Sequence, residues 1–307
     1  MKKILLKIIN PVVLFNAWLY HKKNSTFSNS TSDLELHLYS KIFKNDMLHY
    51  GYFENTEIEV DTISIAEIEK AQVRYAQNII DQIINPQDLI LDIGCGMGGL
   101  SNLISQKGFN VEALTPNKNQ IRHIQSKYPT ITCYQKRFQE FETDKKYGTI
   151  INSESLQYIP LEKAFEKAES IVKPDGTWII ADYFKFNNSG VNKSSHLLDD
   201  FVRKSKEHGW EITYQQDMTP HVLPTLKFVY NYAERFLLPL VHFTSGKIKR
   251  KKAWLYYLIR DLKQSVDHKI WKELAAVDPI KFRNEKKYML FVLRKNCRDA
   301  ADNPASS

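Results

Sequence analysis

The sequence predicts an α/β fold in which a parallel sheet is covered by helices on both of its faces. Short apolar runs alternate with longer amphipathic stretches over residues 89–184, which is typical of βαβ units. Four of the eleven glycines fall between Gly94 and Gly99, directly after the first apolar run, where a strand would turn into a helix. Apolar residues at helical spacing over residues 61–84 predict a further helix, which ends before an Asn-Pro pair.

Five apolar runs are expected to form strands in chain order. They read LILDI at 89–93, NVEAL at 110–114, ITCYQ at 131–135, YGTIIN at 147–152 and TWIIADYF at 177–184. Helices are expected between them, near residues 99–107, 117–127 and 160–172. Parallel neighbours need such crossover helices, so this order predicts a parallel sheet.

After the fifth run the regular alternation ends. A helix near 194–208 leads to a strand, WEITYQQ at 210–216, and the last strand is YMLFVLR at 288–294. Between these strands lie two long apolar and aromatic segments, at 221–243 and 253–274. We expect this helical insertion to form a lid over the ligand edge of the sheet.

Composition narrows the class of protein. The 307 residues are 43% hydrophobic and 25% charged, which excludes a wholly disordered or collagen-like chain and allows one large domain or two small ones. The three cysteines, Cys95, Cys133 and Cys297, are too few and too scattered for a disulfide framework or a zinc site. We therefore expect no metal, and a reducing, cytoplasmic location.

Positive charge is concentrated in two clusters. The formal net charge is +8, residues 1–32 hold five lysines and no acid, and residues 247–252 read KIKRKK. Such clusters attract phosphates on nucleic acid, lipid head groups or a substrate, or they form solvated faces. Residues 1–23 also carry apolar side chains, among them Trp18. We expect them to form a helix lying on the inner membrane face, or a cap on the domain.

The glycine-rich turn LDIGCGMGGLS is the clearest ligand-binding signal. Glycine permits a sharp turn and close approach of a ligand, and the following helix offers unpaired N–H groups. The spacing of Gly94, Gly96 and Gly99 also satisfies the dinucleotide fingerprint, so the glycines alone do not decide the ligand. Asp92 favours a cationic sulfonium ligand, because a carboxylate at this position would repel a pyrophosphate. The alternative is that Asp92 only holds the turn in place.

These residues resemble motif I of the class I S-adenosylmethionine-dependent methyltransferases, which implies their Rossmann-like sheet and their cofactor. The next strand, NVEALTPNKNQ, carries Thr115 and Gln120 in place of the usual acid. It is similar to the branch that contains cyclopropane mycolic acid synthases, sterol methyltransferases and tocopherol methyltransferases. The resemblance implies that Thr115 and Gln120 contact the cofactor ribose, with Leu114 beside them, and that Phe138 and Gln139 flank the adenine.

Two further segments are similar to this branch. MLHYGYFE at 47–54 resembles the segment that closes over the cofactor, and DMTPHVLPTLKF at 217–228 resembles the start of the substrate lid. We therefore expect a basic helix, linker and cofactor-covering cap at residues 1–83, a methyltransferase domain at 84–296 with its lid at about 218–284, and a disordered tail at 297–307.

Methyl transfer needs in-line alignment, exclusion of water and, where the acceptor must lose a proton, a base. Glu154 follows the fourth strand, where open α/β sheets bind substrates, and resembles the glutamate of an ESL-like motif in small-molecule and prenyl methyltransferases. We expect it to act as a base or to stabilise positive charge. Alternatively, it fixes its loop or grips the N-terminal segment. His49 and Tyr50 are further catalytic candidates, and Tyr52 and His221 are possible acceptor contacts.

The expected function is S-adenosylmethionine-dependent methylation of a hydrophobic small molecule, such as a lipid, an isoprenoid, a quinone-like compound or a polyketide, on carbon or oxygen. Cyclopropane synthases of this branch have a cysteine and a glutamate at a bicarbonate site, where this chain has Tyr50 and Gln157, which favours plain methylation. A lipid enzyme resembling cyclopropane fatty acid synthases stays an alternative, as do an RNA or protein methyltransferase and a dinucleotide or inactive cofactor-binding protein. No RNA-binding module accompanies the basic clusters, which argues against nucleic acid as a partner.

Overall fold

The computed structural model describes residues 10–25, 41–188 and 195–295. The chain divides into two compact units, Met1–Lys44 and Asn45–Ser307. The tail predicted at 297–307 lies outside the described residues, as do residues 26–40 of the predicted N-terminal region.

Helix α1 (Pro11–Ser25) lies in the first unit. It begins with a proline, whose fixed φ suits the first helical turn, and the Asn10 side chain accepts a hydrogen bond from Val12 N at 2.9 Å. Its exposed apolar side chains are Val12, Leu14, Phe15, Trp18 and Leu19. Residues 1–9, with the first three lysines of the predicted basic helix, lie outside the described residues.

The second unit is built on a seven-stranded sheet of order β3-β2-β1-β4-β5-β7-β6. Its strands are β1 (Ile90–Ile93), β2 (Val111–Leu114), β3 (Thr132–Tyr134), β4 (Tyr147–Ser153), β5 (Val172–Lys185), β6 (Trp210–Asp217) and β7 (Lys286–Lys295). The first five strands pair in parallel, and β7 runs antiparallel between β5 and β6. The predicted α/β fold is confirmed, and β7 makes the sheet a mixed one.

Helices precede or connect the strands and pack on the sheet. They are α2 (Ile65–Ile80), α3 (Gly99–Gln106), α4 (Lys118–Lys127), α5 (Leu161–Ile171) and α6 (Leu198–Glu207). Helix α2 is shorter than the apolar pattern because Ser64 caps it, accepting a hydrogen bond from Glu67 N at 3.2 Å. The capping residue therefore fixes the start of the helix inside the periodic region.

The core lies on both faces of the sheet because side chains alternate along each strand. On β5, Trp178 and Ile180 belong to a buried cluster that includes Phe165 of α5. Ile179 points the other way, into a cluster that includes Tyr75 of α2. This second cluster also contains Tyr288 of β7, and Tyr50 packs against it.

The residues between β6 and β7 form a helical insertion, as the sequence predicts. It consists of α7 (Thr219–Tyr232), a π-helical turn (Ala233–Leu237), α8 (Leu238–Lys251), α9 (Ala253–Ala276) and α10 (Pro279–Glu285). Exposed apolar residues of α7, the turn and α8 are Val229, Tyr232, Phe236, Leu237, Leu240 and Phe243. In the part of the chain that the structure describes, no helix has both the length and the apolar character to cross a membrane.

Candidate active site

The glycine turn lies at the carboxyl end of β1. Gly94, Gly96 and Gly98 have φ angles of +75°, +56° and +86°, a region that suits glycine. The backbone of Gly94 is fixed by a hydrogen bond from its N–H to Leu114 O, at 2.7 Å. Among the described residues no side chain caps the helix that starts at Gly99, so its first N–H groups face the turn. The turn can therefore bind electron-rich atoms of a ligand through its backbone.

Asp92 lies under this turn and is 1% exposed. Its carboxylate accepts a hydrogen bond from Ser101 Oγ at 2.5 Å, which ties the end of β1 to α3. Burial raises the pKa of Asp92 to about 6, and the Ser101 hydrogen bond opposes that rise. This contact supports a role in holding the turn, and the predicted role in binding a cation stays a prediction.

The carboxyl end of β2 brings two predicted cofactor-binding residues together. Thr115 Oγ1 donates to Gln120 Oε1 at 2.5 Å, and Thr115 is buried. Leu114 lies next to them, and its carbonyl oxygen accepts the hydrogen bond from the glycine turn. Phe138 and Gln139 lie in a short 3-10 turn after β3, where the Phe138 side chain packs in the same core cluster as Leu114, and their place beside the adenine stays a prediction.

The segment at 45–54 lies against the glycine turn. A Cβ on Gly99 would meet the carbonyl oxygens of Asn45 and Asp46 at 2.6 and 2.7 Å, and one on Gly96 would meet Leu48 Cδ1 at 3.2 Å. Glycine at these positions therefore permits the segment to approach the turn.

Asp46 anchors this segment to α4 and the residue after it. Its carboxylate accepts hydrogen bonds from His123 Nε2 at 2.9 Å, Lys127 Nζ at 2.7 Å and Tyr128 OH at 2.8 Å. Burial acts to raise the pKa of Asp46, but the three hydrogen bonds outweigh it and the pKa lies below its ordinary value. Sequence reasoning missed Asp46, although its φ of +55° fits the preference of Asp for left-handed backbone.

Glu154 is held at the end of β4 in a strained backbone conformation, with a φ of +50°. Its Oε1 accepts two hydrogen bonds, from Tyr50 N and from Tyr288 OH, both at 2.8 Å. Burial raises the pKa of Glu154 to about 7, and the two hydrogen bonds oppose that rise. The structure thus brings Glu154 and Tyr50 together, and the bond to Tyr50 is the grip on the N-terminal segment that the sequence left as an alternative.

Tyr288 belongs to a chain of hydroxyl groups beneath Glu154. Its hydroxyl lies 2.8 Å from Tyr75 OH, which lies 3.0 Å from Ser153 Oγ. Tyr75 and Tyr288 are both fully buried. Sequence reasoning missed their role, because tyrosines on a helix face and in a strand have no distinguishing signal.

His49 is buried, and its ring stacks on Tyr75 with 4.0 Å between the centroids. Nδ1 lies 2.8 Å from Tyr50 O, so Nδ1 carries the proton and Nε2 offers a lone pair. That Nε2 atom is buried and has no hydrogen-bond partner among the described residues. Burial lowers the pKa of His49 to about 4, so at neutral pH the ring is uncharged and its Nε2 can accept a hydrogen bond.

Tyr52 and His221 stack on each other, with 4.1 Å between their ring centroids. His221 Nδ1 lies 2.8 Å from Phe53 O, and Tyr52 OH accepts a hydrogen bond from Gln216. These contacts join the N-terminal segment to β6 and α7, so both residues have structural partners.

A second buried carboxyl group, Asp182 of β5, lies near Glu154. It accepts hydrogen bonds from Gln157 N at 3.1 Å and Tyr183 N at 2.8 Å. Burial raises its pKa to about 8, and the charge of Glu154 adds to that rise. The Gln157 side chain donates to Glu154 O at 3.4 Å, so Asp182 and Gln157 both support the loop that carries Glu154.

The residues fit the sulfonium cofactor that the resemblance implies. The glycine turn offers backbone donors, the pair of Thr115 and Gln120 offers hydroxyl and amide groups for a ribose, and His49 Nε2 offers a buried acceptor without a partner. The amino-acid ammonium group of that cofactor is a hydrogen-bond donor, which is the partner that His49 Nε2 lacks among the described residues. Among the described residues no group of three or more His, Cys, Asp and Glu side chains could hold a metal ion.

Comparisons with known proteins agree with this geometry. Residues 90–176 match the family model described as a methyltransferase domain. An uncharacterized methyltransferase of Alkaliphilus oremlandii is 28% identical over 174 residues, which cover 52% of this chain and 80% of that protein. A cyclopropane mycolic acid synthase of Mycobacterium tuberculosis is 22% identical over 210 residues, which cover 57% and 70%. Among the curated relatives, the share of their own length that is matched ranges down to 34%.

Solved structures show the same fold at low identity. The structure of that Mycobacterium tuberculosis cyclopropane synthase has a TM-score of 0.60 at 16% identity, covering 83% of this chain and 92% of the other. Geranyl diphosphate C-methyltransferase of Streptomyces coelicolor, solved with S-adenosyl-L-homocysteine, has a TM-score of 0.59 at 15% identity, covering 81% and 87%. Residues 90–176 therefore form a methyltransferase domain with S-adenosylmethionine as its cofactor, and the chain is similar in sequence and fold to class I enzymes such as the cyclopropane mycolic acid synthases.

Proposed function

We propose that the protein methylates a carbon or oxygen atom of a hydrophobic small molecule, such as a lipid, an isoprenoid, a quinone-like compound or a polyketide. The observation that carries this proposal is the carboxyl group of Glu154, which lies at the carboxyl edge of the sheet with a pKa raised by burial to about 7. A carboxylate with that pKa can take a proton near neutral pH, which suits an acceptor carbon or oxygen that must lose a proton.

Each group at the site has a task in this mechanism. When bound, the cofactor supplies an electrophilic methyl group on its sulfonium. The glycine turn, Thr115 and Gln120 orient the cofactor, and the segment at 45–54 excludes water from it. Glu154 removes a proton from the acceptor, and Tyr288 stabilises the carboxylate before that step through its hydrogen bond to Oε1.

Aromatic side chains around Glu154 support a hydrophobic acceptor. The ring of Tyr50 lies 6.3 Å from that of Phe282 and 5.9 Å from that of Tyr288. Tyr183 lies 5.8 Å from Phe282. Aromatic groups with a few polar atoms are typical of sites for apolar ligands. The similar proteins named above act, by their names, on mycolic acids and geranyl diphosphate, which are largely apolar.

Phe282 belongs to α10, so the helical insertion contributes directly to this aromatic group. That contact supports the assignment of residues 218–284 as a substrate lid within a methyltransferase domain at 84–296, and of residues 1–83 as the region that ends in a cofactor-covering cap. Cyclopropanation stays the alternative, and it is disfavoured because the Gln157 amide is engaged with the loop of Glu154.

Peripheral contact with the inner face of an anionic membrane belongs to the same proposal. Helix α1 exposes Phe15 and Trp18, and residues 1–23 hold five lysines. Residues 247–252, at the end of α8, hold five further cations. Exposed apolar groups next to lysines are typical of helices that lie on anionic membranes.

An acceptor screen tests the proposal. The full chain with isotope-labelled S-adenosylmethionine is incubated with fractionated lipid extract, with RNA and with protein. We expect label in the lipid fraction, before and after ribonuclease treatment, and none with the variant Gly96→Val. Label confined to RNA or protein would overturn the proposed acceptor class.

A further inference from the structure

Lys286 opens β7 at the ligand edge of the sheet. It pairs in register with Lys185, the last residue of β5. Its side chain shares one face of β7 with that of Tyr288, two residues further on. Lys286 is only 5% exposed. Lysines are almost never buried to this degree unless they are paired.

The ammonium group of Lys286 lies among aromatic rings. Its Nζ is 4.5 Å from the centroid of the Tyr183 ring and 5.5 Å from that of the Phe282 ring. Ring faces attract a cation, but they offer no oxygen acceptors for its three N–H donors. The environment therefore leaves the hydrogen-bonding capacity of the ammonium group open.

Acids near Lys286 are paired with other cations in the described part of the chain. Glu285 lies 4.0 Å from Lys281, and Asp217 lies 3.3 Å from Lys287. Burial lowers the pKa of Lys286 to about 8, against the attraction of Glu285. A buried charge without a paired acid is costly, so its presence needs a reason beyond the fold.

The rings that contact Lys286 also contact the two tyrosines that donate hydrogen bonds to Glu154. Phe282 contacts Tyr50, whose N–H donates to Glu154 Oε1. Tyr183 contacts Tyr288, with 6.5 Å between the ring centroids, and Tyr288 OH donates to the same oxygen. The ammonium group and the carboxyl group thus both border one cluster of aromatic rings.

A cleft of about 770 Å³, lined by residues of α7 and α10, reaches Lys286. Its lining includes three further cations, Lys227, Arg283 and Lys287, and two acids, Glu57 and Asp217, of which Asp217 is paired with Lys287. Cations therefore outnumber acids along the cleft, which favours the approach of a negatively charged head group to Lys286.

We propose that Lys286 binds an anionic group of the acceptor, a carboxylate or a phosphate, while the aromatic rings hold the apolar part. This inference rests on the proposed function and narrows its substrate class from hydrophobic molecules in general to amphipathic acids. The competing role is purely structural, in which the cation–π contacts of Lys286 hold α10 against the sheet.

Calorimetry with three probes of equal chain length tests the proposal. The full chain, saturated with S-adenosylhomocysteine, is titrated with 1-dodecanol, dodecanoate and dodecyl phosphate below their micellar concentrations. We expect at least one anion to bind about 10- to 100-fold more tightly than dodecanol, which corresponds to about 1.4–2.8 kcal/mol. The two anions distinguish a carboxylate from a phosphate head group.

Variants separate recognition from folding. Lys286→Met keeps the length of the side chain and should bind the anions no more tightly than dodecanol, with dodecanol affinity unchanged. Lys286→Arg should retain most of the preference, since it keeps the charge. The matched control is Lys163→Met, which removes an exposed lysine of α5 that does not line the cleft and should leave the preference within about twofold.

The outcomes distinguish this inference from the proposed function. Equal binding of all three probes, or an anion preference that survives Lys286→Met, overturns the role of Lys286 and leaves the hydrophobic acceptor standing. Failure of every probe to bind overturns both. A melting temperature that falls in Lys286→Met while the anion preference persists supports the structural role instead.

Discussion

Replacing Glu154 with glutamine separates its charge from its shape. Both hydrogen bonds to Glu154 are accepted by Oε1, an oxygen that the glutamine side chain keeps. The contacts with Tyr50 and Tyr288 should therefore survive the substitution. What the variant loses is the negative charge and the ability to take a proton.

The expected change in stability follows from the raised pKa. Burial raises the pKa of Glu154 from 4.5 to about 7. Below about pH 4.5 the carboxyl group is protonated in both the folded and the unfolded chain, and the folded state is most stable relative to the unfolded one. As the pH rises to about 7 the unfolded chain ionises first, so the free energy of unfolding falls. At 1.36 kcal/mol per pH unit the loss is about 3 kcal/mol at most, and less because the side chain is not fully enclosed. Glu154→Gln should therefore be as stable as the wild type at pH 5 and about 1–3 kcal/mol more stable at pH 8.

The expected change in rate is opposite in sign. Removal of a general base costs about 10²–10⁴-fold, so single-turnover methyl transfer should fall by that factor. In the wild type the rate should rise with pH through about 7, because the base must be ionised, and in the variant it should be independent of pH in this range. The affinity for S-adenosylhomocysteine should change less than threefold, roughly 0.65 kcal/mol.

The matched control is Asp182→Asn, which neutralises the other buried carboxyl group. Its pKa is also raised by burial, to about 8, so its stability should respond to pH in the same direction. Its rate should fall much less, since Asp182 accepts hydrogen bonds from backbone N–H groups of the supporting loop. Unchanged turnover in Glu154→Gln, or equal losses in both variants, would refute the assignment of Glu154 as the base.

Three further predictions concern the cofactor, the N-terminal segment and the membrane. Calorimetry should show micromolar binding of S-adenosylmethionine and S-adenosylhomocysteine and none of NAD. Gly96→Val should abolish cofactor binding, because the backbone φ at Gly96 is +56° and a Cβ there would lie 3.2 Å from Leu48 Cδ1. The control variant Gly246→Val has open space around its Cβ and should bind the cofactor normally. Asp46→Asn should lower the free energy of unfolding at pH 7 by about 1–3 kcal/mol in urea titrations. Because the pKa of Asp46 is lowered in the folded protein, its stabilising contribution is present above the ordinary pKa and should disappear as the pH falls through the folded-state value. An Asp46→Asn variant as stable as the wild type at pH 7 would contradict this prediction. Deleting residues 1–23 should weaken salt-sensitive binding to anionic vesicles by about 1 kcal/mol per lysine at the surface, and the affinity for the cofactor should not change. Undiminished vesicle binding would indicate that residues 247–252 bind the membrane instead.

The fold and the glycine turn could be predicted because their signals are local. The turn from Gly94 to Gly99 and the apolar runs are each readable within a few neighbouring residues. Thr115 and Gln120 lie five residues apart at one strand end and form a hydrogen bond with each other, while their contact with the cofactor ribose stays a prediction. Resemblance to a family extended this local reading to the cofactor.

The contacts that define the site depend on residues far apart in the chain. Glu154 is 104 positions from Tyr50 and 134 from Tyr288, and no periodic pattern links them. Asp46 is 77 positions from His123, so no local sequence pattern predicts the hydrogen bonds that its carboxylate accepts. Lys286 looked like one more cation of a basic chain, because burial of a lysine is a property of the packed structure and not of its neighbours in sequence.

The hydrogen bond from the Tyr50 N–H to Glu154 gives the Oε1 atom two roles in the proposed mechanism: it holds the segment at 45–54, and it belongs to the carboxylate that acts as the base. While the segment at 45–54 lies over the glycine turn, Oε1 has two donors that favour the ionised carboxylate. In the proposed mechanism, lifting of this segment for cofactor exchange would remove one donor and shift Glu154 toward a protonated carboxyl group that cannot act as a base. Proton abstraction would then be confined to the interval in which the reactive methyl group is sheltered from water.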